Sequence, residues 1–184
     1  GRHVQLLHPP VMGRGGMRMK KTVIIINGAG GAGKDTLCAI AARHYAVTSV
    51  SAVDRIKEIA RFGGWDGVKD ERGRKLLSDI KLAFIAYNDL PFASLMEAYR
   101  AFCASQARVL FIHCREPKEI AKLQAAIPGS LSLLVRRPGA QSHFGNASDD
   151  EVENYRYDYI YENSQPLERA EADFLPLLRT MVGE

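Results

Sequence analysis

Only three cysteines and one tryptophan occur in 184 residues, and what is scarce narrows the reading before any motif does. Cys38, Cys103 and Cys114 are odd in number and have no metal-type spacing. Neither a disulfide framework nor a zinc module organises the chain. Cys38 and Cys103 fall at apolar helical positions and read as reduced core thiols. No apolar run reaches membrane length and no signal-peptide pattern occurs, so no membrane partner is expected and a reducing cytoplasm is the expected compartment. Charge of one sign is also lacking: 25 basic residues against 21 acidic ones leave a net +4. The basic residues are scattered, so no nucleic-acid partner is expected. Internal repeats and an Asn-Lys-x-Asp guanine motif are absent.

What is present suits a globular domain. Hydrophobic residues make up 46% and charged residues 25%, enough apolar mass for a full core. Residues 1–19, with Pro9-Pro10, Gly13 and Gly15-Gly16, lack periodicity and are expected to be a tag or disordered leader. Residues 20–184 are expected to form one domain, either monomeric or as a homodimer.

Thr22-Val-Ile-Ile-Ile-Asn27 is followed by Gly28-Ala-Gly-Gly-Ala-Gly-Lys-Asp-Thr36. A buried-strand pattern therefore runs into a glycine-rich turn, a lysine and a helical pattern carrying Leu37, Ile40 and Ala41. Such a turn lets successive N–H groups of Gly28, Gly30, Gly31, Ala32 and Gly33 surround a phosphate, beside the positive end of the next helix. Lys34 adds a mobile charge for the outer phosphates. Thr36 adds a hydroxyl for a phosphate oxygen or Mg²⁺. A nucleoside triphosphate is the ligand this chemistry suits. Asp35 stands where the general motif has Ser or Thr.

The remaining chain alternates strand and helix. Strands are expected at Val47–Ala52, Arg108–His113, Leu131–Val135 and Tyr157–Tyr161. Between them, Ile56, Ile59 and Ala60 share one helical face. Leu76, Ile80, Phe84 and Tyr87 share another, and Phe92, Leu95, Tyr99 and Phe102 a third. Further helices are expected from Pro117 and after Pro166. Apolar strands alternating with helices predict an α/β fold with a parallel sheet covered on both faces. Ligands then bind beyond the carboxyl ends of the strands.

The segment Gly28-Ala-Gly-Gly-Ala-Gly-Lys-Asp-Thr36 resembles the phosphate loop of adenylate kinase and other P-loop nucleoside monophosphate kinases. Its Gly-Lys-Asp-Thr variant looks most like deoxynucleoside monophosphate kinases and animal-type phosphomevalonate kinases. The resemblance implies a P-loop NTPase fold with a five-stranded sheet in order 2-3-1-4-5. It also implies phosphoryl transfer from ATP·Mg²⁺ to a small phosphorylated acceptor, with positioning and charge stabilisation as the main catalytic devices. It gives residues 53–106 as an acceptor-binding helical insert and 136–148 as a lid.

By the same resemblance Arg115, directly after the third strand, holds the acceptor phosphate. Arg136 and Arg137 close on the phosphates or stack on adenine, and Asn163 borders the adenine pocket. Lys57, Arg61 and Arg74, with Arg72 and Lys75, fall on the acceptor side. Ordinary roles stand beside each of these: solvated arginines, a mixed-charge turn, and an Asn that caps a helix. Trp65 is a base-stacking wall or a hydrophobic plug. One departure concerns the metal: His113 occupies the third-strand position where an aspartate is expected. Asp35 and Asp54 are the candidates to replace it, and Asp54 could instead meet an acceptor hydroxyl. Two alternatives stay open: a kinase for a non-nucleotide phosphorylated metabolite, and a nucleotide-binding regulator without acceptor turnover.

Overall fold

The computed structural model describes residues 20–139 and 151–184. Most of the expected lid, 140–148, lies outside the described residues. The elements are β1 (Thr22–Asn27), α1 (Lys34–Ala42), β2 (Val47–Ser51), α2 (Asp54–Phe62), α3 (Glu71–Asn88) and α4 (Leu90–Ala104). They continue with β3 (Val109–His113), α5 (Pro117–Ala126), β4 (Leu131–Arg136), β5 (Tyr159–Glu162) and α6 (Leu167–Val182). All strand pairs are parallel, and the sheet order is β2-β3-β1-β4-β5. This is the order implied by the sequence resemblance.

The unbroken apolar run of β1 follows from its place in the middle of the sheet. Successive side chains point to opposite faces. Ile24 and Ile26 pack with Leu37, Ile40, Phe111, Leu133, Phe174 and Leu178, under α1 and α6. Val23 and Ile25 pack with Leu110, Ile112, Leu95, Phe102, Ile120 and Leu123, under α4 and α5. Two cores therefore clamp the central strand and fix where its carboxyl end delivers the glycine loop.

Two sequence expectations change in detail. Helix α3 packs on α2 and α4, so its apolar residues face no deep core: Tyr87 is 82% exposed and Leu76 39%. Strand β5 begins at Tyr159 rather than Tyr157. The two preceding side chains are engaged elsewhere, Tyr157 on Asn27 and Asp158 on Ser132.

Candidate active site

The glycine loop joins β1 to α1 at the carboxyl edge of the sheet. Gly31 and Gly33 have φ of 80° and 94°, left-handed values that favour glycine. Gly33 also caps α1 without any side-chain bond, so the first-turn amides point into the loop with no side-chain acceptor of their own. Gly28 meets a closer constraint, because a Cβ there would lie 2.5 Å from the Val135 carbonyl oxygen. Gly30, by contrast, has nothing within 4 Å of such a Cβ. The Lys34 ammonium turns back over the loop and donates to the Gly28 carbonyl at 2.5 Å. Asn163, just after β5, donates its amide to the Ala32 carbonyl at 2.9 Å. It props the loop and does not cap α6, whose cap is Pro166.

Asp35 is exposed and Thr36 half-buried on the first turn of α1. Asp54 opens α2 and accepts the Ser51 N–H at 2.8 Å. His113 ends β3 with its Nε2 3.7 Å from Cys38 Sγ. Burial holds its imidazole below the ordinary value of 6.5; Asp35 pulls it up, the Lys34 charge pushes it down and Asp54 pulls it up. Asp35, Lys34 and Asp54 are thus the charges near enough to act on His113. Burial and Asp35 push the Cys38 thiol up to about 12, so it stays protonated. Among the described residues no group of three or more His, Cys, Asp and Glu is arranged to hold a metal. Thr36 and the Asp35 and Asp54 carboxylates are the groups that would hold Mg²⁺ beside a bound phosphate, where the ion would neutralise phosphate charge.

Because its pKa is depressed, folded His113 is neutral while the unfolded chain takes up a proton near 6.5. Its contribution to stability is complete above about pH 6.5 and declines below it, toward the lower folded value. His113→Gln is expected to flatten that part of the acid limb, read from urea unfolding at about pH 7.5 and pH 5.5.

A second set of charges gathers around Lys69. The Lys69 ammonium lies close to that of Lys57 and is held below the ordinary lysine value. The causes are, in order, the Lys57 charge, burial, and the charges of Arg115 and Arg74. Four cations from α2, the α2–α3 turn, α3 and the loop after β3 thus converge. Among the described residues, Lys57, Lys69 and Arg74 form no ion pair with a carboxylate.

The local sequence explains how Lys69 is held there. Asp70 caps α3 by accepting the Gly73 N–H at 2.8 Å. Trp65 donates its indole N–H to the Val68 carbonyl at 3.1 Å, and Val68 N–H donates to Asp66 at 2.9 Å. A Cβ at Gly73 would come within 2.9 Å of the indole nitrogen, so only glycine admits this close turn. Trp65 braces this turn through its indole nitrogen. Arg61, expected beside Lys57, stacks its guanidinium over the Trp65 ring at 5.3 Å.

The two arginines that end β4 differ. Arg136 forks onto both Glu153 oxygens at 3.0 Å and 3.2 Å through Nε and reaches Glu162 at 3.3 Å. Those carboxylates push its pKa further up. Arg137 is exposed. Lys69 was not among the residues singled out from sequence. The signal for it was the turn Trp65-Asp66-Gly67 followed by a helix with a buried glycine.

An open pocket of about 550 Å³ lies between α3, α4 and α5, lined by Ala52, Ile85, Phe92, Leu95, Lys118 and Leu123 among others. It borders the carboxyl end of β3: Ala52 donates its N–H to the His113 carbonyl at 3.1 Å, and Lys118 lies in the first turn of α5. No described helix is long and apolar enough to cross a membrane.

No protein-family model and no curated protein sequence matches this chain. Solved structures do. The chain is similar to TT1252 from Thermus thermophilus, with TM-score 0.54, 18% identity, and coverage of 90% of this chain and 100% of that one. It is similar to thymidylate kinase from Ehrlichia chaffeensis at TM-score 0.51 and 10% identity, covering 86% of this chain and 99% of that one. A sugar kinase from Janibacter sp. HTCC2649 gives TM-score 0.50 and 16% identity, over 86% and 94%. At these identities the likeness concerns the fold alone: this chain has the P-loop NTPase fold.

Proposed function

We propose that this protein transfers the γ-phosphoryl group of ATP to a small acceptor that already carries a phosphate, most simply a nucleoside or deoxynucleoside monophosphate. The observation that carries the proposal is the grouping of Lys57, Arg74 and Arg115 around Lys69, with Arg115 just past the carboxyl end of β3. Like charges held this close repel one another. A bound anion with two negative charges resolves the repulsion, and charge-assisted hydrogen bonds then fix its position.

In this reading Lys34 and the loop amides hold the β- and γ-phosphates, apart from the N–H groups of Gly28 and Ala32, which are bonded to Asn27 Oδ1 and the Ala29 carbonyl; Asn163 keeps the loop in shape. Thr36, with Asp35 or Asp54, serves the Mg²⁺, whose chemistry is to neutralise charge on the phosphate oxygens. Arg115 stands between the two halves and neutralises the transferring group together with the acceptor phosphate. The apolar pocket of Phe92, Leu95 and Leu123 takes the body of the acceptor, in keeping with either a planar base or an aliphatic chain. Arg136, already paired with Glu153 and Glu162, is proposed to join the phosphates only by exchanging those partners. Arg137 is proposed to act from the rim.

Lys69→Met separates this account from an ordinary exposed lysine. Removing one like charge relieves repulsion, so the melting temperature is expected to hold or rise. The acceptor KM is expected to rise about tenfold while the ATP KM stays within about twofold, because one charge-assisted contact is lost on the acceptor side only. An unchanged acceptor KM would remove the cluster from the site.

A further inference from the structure

We infer that Asn27 and Tyr157 are positioning residues that lock the first residue of the phosphate loop to the backbone of Arg115. The inference rests on the phosphotransfer reading above. Asn27 is the last residue of β1 and is 1% exposed. Its amide has one acceptor oxygen and two N–H donors, and all of them are used. Oδ1 accepts the Gly28 N–H at 2.8 Å. Nδ2 donates to the Arg115 carbonyl at 3.0 Å and to the Tyr157 hydroxyl at 2.9 Å. Tyr157 in turn donates to the Val152 carbonyl at 2.6 Å, so its hydroxyl is also used in both directions.

The placement is not one that packing alone requires. The preceding β1 residues are apolar, and an apolar residue at position 27 would complete the pattern without the desolvation of an amide. The groups that Asn27 holds are the peptide N–H that opens the donor loop and the peptide carbonyl of the acceptor-side arginine. Tyr157 is itself fixed by its neighbour: Asp158 accepts the Ser132 N–H at 2.8 Å, and its own N–H donates to Ser132 Oγ at 2.9 Å. Burial pushes the phenol up to about 12, so it remains a neutral donor at working pH. Three segments distant in sequence thus meet on one buried amide, and the distance between donor loop and Arg115 is set there.

In-line transfer depends on that distance, whereas binding of either substrate alone does not. Tyr157→Phe keeps the ring and removes two hydrogen bonds; Asn27→Ala removes the junction. Two readouts test them. In steady-state kinetics, Tyr157→Phe is expected to lower kcat by about tenfold to a hundredfold with the ATP KM within about twofold. In hydrogen–deuterium exchange, a non-hydrolysable ATP analogue with Mg²⁺ is expected to protect residues 28–36 and also 114–118 of the parent protein. In Tyr157→Phe the protection at 28–36 remains and that at 114–118 is lost. Retention of both protections in Tyr157→Phe, or their limitation to 28–36 in the parent protein, would overturn the inference while leaving the nucleotide site standing. Failure of the analogue to bind the parent protein would overturn the phosphotransfer reading and the inference with it. Asn27→Ala, if it folds, should reproduce Tyr157→Phe; if it does not, the phenylalanine variant decides.

Discussion

Lys34→Ala is expected to lower phosphoryl transfer by about three orders of magnitude or more with the fold intact, because the lost charge acts on the group being transferred. The position is suited to so clean a result. Lys34 begins α1, where alanine is a good helix former, and its side chain is only partly buried. Its ammonium already bridges the loop through the Gly28 carbonyl, so it stands ready to exchange that oxygen for phosphate oxygens. Circular dichroism and melting would report the fold, and a coupled ATPase assay with acceptor would report transfer. Turnover equal to the parent protein would remove the active-site assignment at its centre.

Gly28→Ala should be nearly as damaging, through geometry instead of charge. The added Cβ would lie 2.5 Å from the Val135 carbonyl oxygen, closer than real contacts allow. Val135 is buried and pairs with Tyr161 in the neighbouring strand, so β4 cannot retreat and the loop must. A displacement of about 1 Å at a phosphate cradle is expected to weaken ATP-analogue binding by about a hundredfold. Gly30→Ala supplies the internal control: with open space around its Cβ, its affinity is expected to stay within about threefold of the parent protein. Calorimetric titration of both variants checks the pair, and equal affinities would show that the loop adapts.

The contrast between these glycines shows where sequence reading stops. That residues 28–36 form a glycine-rich turn from a central strand into a helix follows from strand pattern, glycines and lysine, and the fold bears it out. Which glycine is indispensable depends on a β4 carbonyl more than a hundred residues away, and no local pattern carries that. The sheet was legible because β1, β3 and β4 are apolar on both faces, and only a parallel sheet between two helical layers asks for that. Helix α3 was legible as a helix but not as an exposed one, because its apolar stripe looks the same whether it faces a sheet or its sister helices.

The site shows the same division. Arg115 and the glycine loop stand out as candidates because they sit at strand ends, where topology dictates position. Lys69 was missed because a turn braced by Trp65, Asp66 and Gly73 brings it to Lys57 across twelve residues. Arg61 was expected beside Lys57 by helical spacing, yet the ring of Trp65 draws it away. Tyr157 read as the first residue of a strand; its hydroxyl, bonded to Asn27, sets it before the strand instead.

The account turns on an acceptor that brings its own phosphate. Its most direct test is ATP consumption with Mg²⁺ against matched pairs of acceptors: nucleosides and deoxynucleosides beside their monophosphates, and alcohols beside their phosphorylated forms. The account predicts strong stimulation by one phosphorylated class and none by its unphosphorylated partner. Equal stimulation by the unphosphorylated partner would contradict the role given to Lys57, Lys69, Arg74 and Arg115. ATP binding without stimulation by any acceptor would contradict the transfer itself, and would leave a nucleotide-binding regulator in which His113 stands where a metal-side aspartate is needed.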